Sequence, residues 1–112
     1  MSLEGSRVKL VLLGSAQDGG IPHPACGCEQ CTRARAGDDS RRTPTSLGLY
    51  LPNSGKRYLI DVTPQLGRQL ELFDRNTPDN WNLRRPVDGV LLTHGHFGHI
   101  GGLPYFGREV AN

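Results

Sequence analysis

The sequence lacks several features that would assign it to a common functional class. None of its apolar runs approaches the roughly 18 residues that a membrane-spanning helix requires. Its formal net charge is only +2, and no block of like charge forms a binding arm, so we expect neither nucleic acid nor a membrane as a partner. The apolar segment over residues 8–13 lacks the cleavage pattern of a signal peptide, which favours a cytoplasmic protein.

Cysteine is also scarce, and all three cysteines lie in one short segment. An odd number of neighbouring thiols argues against a disulfide framework and fits a reducing compartment. The spacing of Cys26, Cys28 and Cys31 suits three thiolate ligands of a tetrahedral structural zinc ion. His23, a water molecule or a residue outside the chain are candidates for the fourth ligand. Free thiols and a redox C-x-x-C pair are the alternative interpretations.

A phosphate-binding loop is absent as well. The glycine-rich segment over residues 14–20 has neither the Gly-Lys-Ser/Thr ending of a P-loop nor a Gly-x-Gly-x-x-Gly run. We interpret this segment as a turn or as the floor of a pocket.

The strands that the sequence contains predict a mixed α/β domain. A short apolar run predicts a first strand over residues 8–13. Residues 45–51 and 56–62 predict a hairpin around a Pro-Asn-Ser-Gly turn. Residues 87–92, apolar and bounded by turn residues, are typical of a buried parallel strand.

Two helical segments are predicted between these strands. A short helical turn is expected over residues 32–36, directly after the cysteines. Thr63 is predicted to cap a second helix that begins at Pro64, where a missing N–H costs nothing. Leu66, Leu70 and Phe73 follow at helical spacing, so this helix presents one apolar face to the sheet.

A cluster of histidines follows the last predicted strand. In an extended chain His94 and His96 point the same way, so both imidazoles can bind one metal ion. His99 falls where a helix could begin and would approach from another direction. Gly95 and Gly98 allow positive φ angles and a close approach of the backbone. Because neutral imidazole is a common zinc ligand, the sequence predicts a metal site at this strand end.

These motifs resemble a known family. Residues 88–99 are similar to the signature of the metallo-β-lactamase superfamily, in which T-H-x-H-x-D-H leaves a buried strand. The loop over residues 14–20, the cysteine motif and Asp-Val-Thr-Pro at residues 61–64 resemble the branch with the pyrroloquinoline quinone biosynthesis protein B and the cyclic phosphodiesterases of phosphonate breakdown. The resemblance implies an αβ/βα sandwich, with two mixed sheets face to face, helices outside and a metal centre at one edge. Residues 1–112 would form one incomplete domain, the N-terminal half.

The sequence departs from this family at one ligand position. Gly98 stands where the resemblance expects an aspartate. By resemblance, His94 and His96 belong to a first metal site, and His99 belongs to a second site that has lost its anionic ligand. We therefore expect either one firmly bound metal ion alone or, in addition, a weakened second site. A half domain would also expose one sheet face, which the missing half or a second copy of the chain would cover.

The function implied by the resemblance is hydrolysis of a small-molecule substrate. A zinc ion on His94 and His96 would lower the pKa of a bound water toward about 7, and the hydroxide would attack an ester, amide or phosphodiester bond. Besides His99, Asp88 is a candidate catalytic residue that would orient a histidine, and Asp61 is the alternative for that role. Iron-dependent oxidation in pyrroloquinoline quinone biosynthesis, and a metal-binding fragment without activity, are the other hypotheses.

Overall fold

The computed structural model describes residues 7–78 and 86–107, which build a four-stranded mixed sheet. The strands lie side by side in chain order; the first three are antiparallel, and the fourth runs parallel to the third. The predicted α/β class and the predicted hairpin are confirmed. The elements are β1 (Lys9–Gly14), α1 (Glu29–Arg35), β2 (Ser46–Leu51), β3 (Lys56–Ile60), α2 (Leu66–Arg75), β4 (Gly89–Leu91), α3 (Phe97–Ile100) and a 3-10 turn (Leu103–Phe106). No helix in the described part of the chain has the length and apolar character that crossing a bilayer requires.

One face of the sheet packs against α2. Phe73 is fully buried on this face, and Gly48 of β2 makes room for its ring, since a Cβ there would lie 2.7 Å from the ring edge. Leu66 is buried as well, and Leu70 packs half-buried at the margin, so the predicted apolar face of the helix is confirmed. The buried core comprises Val11, Leu13, Tyr50, Leu59, Val62, Leu66, Phe73 and Val87.

The start of α2 differs from the prediction. The helix begins at Leu66 rather than at Pro64, and residues 63–65 form a turn. Thr63 is fully buried; its hydroxyl accepts the N–H of Gln65 at 3.0 Å and donates to Oε1 of Gln69 at 2.8 Å. The threonine therefore fixes the turn to the body of the helix instead of capping the first helical turn.

The opposite face of the sheet carries apolar side chains that remain exposed. Leu12, Leu47, Ile60 and Leu91 lie in register across all four strands. Leu12 is 60% and Leu91 56% exposed, which confirms the predicted open sheet face. The prediction that β4 is buried is wrong in this chain, because β4 is a three-residue edge strand in which Leu91 is exposed, as is Leu92 directly after it.

A buried arginine joins the sheet to the end of α2. Arg57 of β3 is 3% exposed and donates to Asp74 Oδ1 at 2.5 Å, Thr77 Oγ1 at 2.8 Å and the carbonyl of Pro86 at 2.9 Å. Its guanidinium lies 4.3 Å from the centre of the Phe73 ring. These contacts hold the C-terminal turn of α2 beside the segment that enters β4.

Candidate metal centre

The structure brings together the three histidines that follow β4. The ring centres of His94 and His96 are 4.6 Å apart, and those of His94 and His99 are 4.0 Å apart. His94 and His96 are exposed, whereas the side chain of His99 is only 17% exposed. A short helix, α3, begins directly after His96, so His99 approaches the other two rings from a helix rather than from the extended chain.

Asp61, at the end of β3, orients His99 and the start of the histidine segment. Its Oδ2 lies 2.7 Å from Nδ1 of His99, and it accepts the N–H of Thr93 at 2.8 Å and the Thr93 hydroxyl at 2.7 and 2.9 Å. Because a carboxylate only accepts, Nδ1 of His99 carries the proton, and in the neutral ring Nε2 keeps a lone pair. A carboxylate behind the ring is the usual support of a metal-ligating histidine.

The environment of Asp61 favours its charged form. Burial raises the pKa of the Asp61 carboxyl, but the Thr93 backbone N–H, the Thr93 hydroxyl and His99 together outweigh burial. The pKa therefore lies below the ordinary value, and Asp61 is an anion at neutral pH. Its φ of +67° is in a region that aspartate tolerates better than most residues, and it ends β3 with the carboxylate turned toward the histidines.

Asp88 does not hold the position that the sequence predicted for it. Its Oδ2 accepts the N–H of Arg57 at 2.9 Å, and its own N–H donates to the Arg57 carbonyl at 2.6 Å. A strand extends about 3.3 Å per residue, so a residue before β4 lies far from the histidines after it. We correct the assignment: Asp88 helps to pair β4 with β3, and Asp61 is the carboxylate beside a histidine.

Residues 15–18 of the glycine-rich loop form one wall of an open cavity of about 450 Å³ beside the histidines. The interpretation of this loop as the floor of a pocket is therefore confirmed. Sequence reasoning missed Asp18, whose Oδ1 lies 3.5 Å from Nε2 of His99. The cavity is lined by Ser15, Ala16, Gln17, Asp18, His23, Thr45, His96 and His99.

The cysteines form a second, separate cluster. The Sγ atoms of Cys26, Cys28 and Cys31 all lie within 4.8 Å of one another, and within residues 7–78 and 86–107 no other set of three metal-binding side chains meets this condition. The helix next to them, α1, begins at Glu29, three residues before the predicted helical turn. Of the candidates for a fourth ligand, His23 offers its backbone N–H to Cys31 Sγ at 3.3 Å, while its ring lines the histidine cavity.

The start of α1 makes one of these thiols acidic. The backbone N–H of Cys31 points at the Cys28 sulfur, and the neighbouring thiols of Cys26 and Cys31 add further hydrogen bonds. These interactions lower the pKa of Cys28 from 9.0 to about 7. A thiol with this pKa is ready to bind a soft cation as thiolate at neutral pH. The donor sets of both clusters, three sulfurs and several imidazoles with carboxylates, match the ligands that zinc prefers.

Comparison with known proteins agrees with this geometry. A family model described as the metallo-beta-lactamase superfamily matches residues 41–111, more than half of the chain. The chain belongs to the metallo-β-lactamase superfamily. Within that superfamily it resembles coenzyme PQQ synthesis protein B of Methylorubrum extorquens (strain PA1), with 34% identity over 95 residues. This alignment covers 84% of the chain and 32% of the relative.

Two crystal structures share the fold. Zn(2+)-bound PqqB from Methylobacterium extorquens matches with a TM-score of 0.77 and 30% identity over 93% of this chain and 35% of that protein. A diphosphatase from the PhnP family matches with a TM-score of 0.65 and 31% identity over 88% of this chain and 34% of that protein. The chain thus spans about a third of the length of these three relatives, which fits the predicted N-terminal half of the metallo-β-lactamase fold.

Proposed function

We propose that this chain provides part of the active site of a metal-dependent hydrolase that acts on an ester, amide or phosphodiester bond of a small molecule. The observation that carries the proposal is the cluster of His94, His96 and His99 beside an open cavity that His96 and His99 line, with Asp61 behind His99. Membership of the metallo-β-lactamase superfamily supports it, as does the likeness to a diphosphatase.

The residues of this cluster would have different roles in such a site. His94 and His96 offer exposed imidazoles, and His96 lines the cavity. Asp61 keeps Nε2 of His99 free to bind a cation. A bound divalent metal ion would supply Lewis acidity and activate a water molecule at neutral pH. Thr93, bonded to Asp61 and 2.9 Å from Nδ1 of His94, links the first histidine to the same carboxylate.

The cysteine cluster would have a structural role in this protein. A zinc ion on Cys26, Cys28 and Cys31 would hold the start of α1 against the loop that carries His23. Arg35 strengthens this connection, since its guanidinium donates to the carbonyls of Cys26 and His23 at 2.5 and 2.9 Å. The cluster would therefore help to position the wall of the histidine cavity without taking part in the reaction.

The experiment measures bound metal and turnover together. We express the 112-residue chain, and any longer natural version of it, without added zinc and determine the metal content. We then assay hydrolysis of p-nitrophenyl acetate and of bis(p-nitrophenyl) phosphate. We expect metal-dependent hydrolysis that falls at least about 100-fold in His96→Ala, since an imidazole ligand is lost. Lys56→Ala, an exposed change at the start of β3, is the control.

Two results would contradict the proposal. Bound iron with oxygen uptake and no hydrolysis would favour the oxidoreductase hypothesis. Metal binding without turnover in every length of the protein would favour a binding role instead.

A further inference from the structure

Gly98 of α3 packs directly against Asp18 of the glycine-rich loop. A Cβ atom on Gly98 would lie 2.3 Å from Cα of Asp18 and 2.6 Å from its Cβ and Cγ. Any side chain at position 98 would therefore occupy the space in which Asp18 stands. A carboxylate thus lies where a side chain from position 98 would begin, although it comes from a distant part of the chain.

The Asp18 carboxylate faces the free nitrogen of His99. Nδ1 of His99 is committed to Asp61, so Nε2 keeps its lone pair, and Oδ1 of Asp18 lies 3.5 Å from it. This distance exceeds the roughly 2.7–2.9 Å of a direct charge-assisted hydrogen bond. It is close to the separation of about 3.4 Å between a nitrogen and an oxygen that bind the same tetrahedral zinc ion at about 2.1 Å. Two electron-pair donors in this arrangement attract a cation.

We propose that Asp18 replaces the carboxylate missing at position 98 and, together with His99, binds a divalent metal ion. This inference rests on the proposed function, in which the histidines hold metal. It changes the expectation drawn from the sequence: the second metal position keeps an anionic ligand, supplied by the loop over residues 14–20. The Asp18 side chain is 44% exposed and lines the cavity, so an ion can reach it from solvent.

The first test compares Asp18→Asn with Asp39→Asn. Both changes remove one carboxylate from a loop with little change in volume, but Asp39 is exposed and outside the cavity lining. Metal content is measured by elemental analysis, zinc affinity by competition with a chelator, and stabilisation by the metal-induced rise in Tm. Cobalt(II) separates the two clusters, because thiolate charge-transfer absorption reports the cysteines alone.

We expect Asp18→Asn to weaken zinc binding at the histidines at least 10-fold. Loss of a residue that only orients a metal ligand lowers metal affinity about 10- to 100-fold, and loss of a ligand itself should lower it at least as much. The cobalt–thiolate absorption should stay unchanged, and Asp39→Asn should bind as the wild type does. The Tm of the metal-free protein should hardly differ among the three, since the proposed role of Asp18 is exercised only when metal is bound.

A second test moves Asp18 without altering it. Gly98→Ala places a Cβ against the Asp18 backbone, so the loop must shift and the carboxylate must leave its position. Gly67→Ala is the matched control, because Gly67 is also helical, lies in α2 outside the cavity lining, and a Cβ there meets nothing within 4 Å. We expect Gly98→Ala to lose metal affinity as Asp18→Asn does, and Gly67→Ala to keep it. Should Gly98→Ala fail to fold, the Asp18→Asn measurement decides.

The outcomes separate this inference from the proposed function. If the wild type holds metal at the histidines and Asp18→Asn holds it equally well, Asp18 is not a ligand and the inference is overturned alone. A fall in the Tm of metal-free Asp18→Asn with unchanged metal affinity would then identify a simple ion pair with His99. If the wild type binds no metal at the histidines, the proposed function fails, and the inference fails with it.

Discussion

Asp61 is the residue on which the histidine cluster depends most. Its carboxylate accepts two hydrogen bonds from Thr93 groups and one from His99, and it is 4% exposed. The asparagine of Asp61→Asn has the shape of aspartate and tolerates the positive φ. Its amide NH₂ group, however, would face the N–H and O–H donors of Thr93 and His99, which need an acceptor. We expect a loss of about 1–3 kcal/mol in the free energy of unfolding and 10- to 100-fold weaker metal binding. Urea unfolding and zinc titration check both, with Asp39→Asn as the control.

The lowered pKa of Asp61 also predicts the pH dependence of stability. Because the carboxyl titrates at lower pH in the folded protein than in the unfolded chain, its contribution is fully present above the unfolded pKa of about 4. The contribution is lost as the pH falls from there through the folded pKa. The difference in unfolding free energy between wild type and Asp61→Asn should therefore be constant from pH 5 to 7 and shrink below about pH 4. A difference that grows on acidification would contradict this assignment.

Cys28 should be the most reactive thiol of the metal-free protein. Its pKa of about 7 makes half of it thiolate at neutral pH. The His23 N–H lowers the pKa of Cys31, but burial and the neighbouring thiols together outweigh it and leave that pKa above its ordinary value. Alkylation with iodoacetamide, followed by mass spectrometry between pH 5.5 and 8.5, should label Cys28 first, with a midpoint near pH 7. Added zinc should suppress the labelling. Preferential modification of Cys31 would show that the thiolate is elsewhere.

At the scale of elements, the Arg57–Asp74 pair holds α2 on the sheet. Arg57 is buried, so Asp74→Ala leaves a guanidinium without its anion. Since the Asp74 side chain is still 27% exposed, we expect a cost of about 2–4 kcal/mol, somewhat below that of a fully buried pair. Glu71→Ala, an exposed change on the same helix, should cost less than about 0.5 kcal/mol. Chemical denaturation measures both, and equal effects would show that the ion pair contributes nothing specific.

The elements also show which parts of the fold local sequence can predict. The hairpin was predictable because alternation and a turn motif lie within one short segment. The start of α2 was not, because Thr63 bonds to Gln69 and the turn that precedes the helix is held by that contact. The burial of β4 was misjudged because an apolar run does not reveal whether its partner layer is present.

At the scale of the whole molecule, the candidate site is assembled from distant segments. The histidines were predictable from their spacing, whereas Asp18 meets His99 only because the loop after β1 folds beside α3. The one signal in the sequence was Gly98 itself, since a glycine among ligands indicates that something approaches closely. The role expected of Asp88 was also wrong because it depends on the three-dimensional fold. Which of Asp61 and Asp88 lies beside a histidine is set by the arrangement of the strands, and the residues around each aspartate do not specify that arrangement.

The open face of the sheet predicts how the isolated chain behaves in solution. Leu12, Leu47, Ile60 and Leu91 form a continuous apolar row across the four strands, and exposed apolar surface of this kind favours association. We expect the 112-residue chain to self-associate as its concentration rises, whether or not a second half covers this face in a longer protein.

Leu12→Lys should weaken that association, because it places a charge at the exposed β1 end of the row. Gln30→Lys adds the same charge at an exposed position of α1, away from the sheet, and should leave association unchanged. Sedimentation velocity over a range of concentrations distinguishes the three proteins. A wild-type chain that stays monomeric throughout would mean that this face needs no cover, because the free energy of burying the row is then too small to offset the entropy lost when two chains associate.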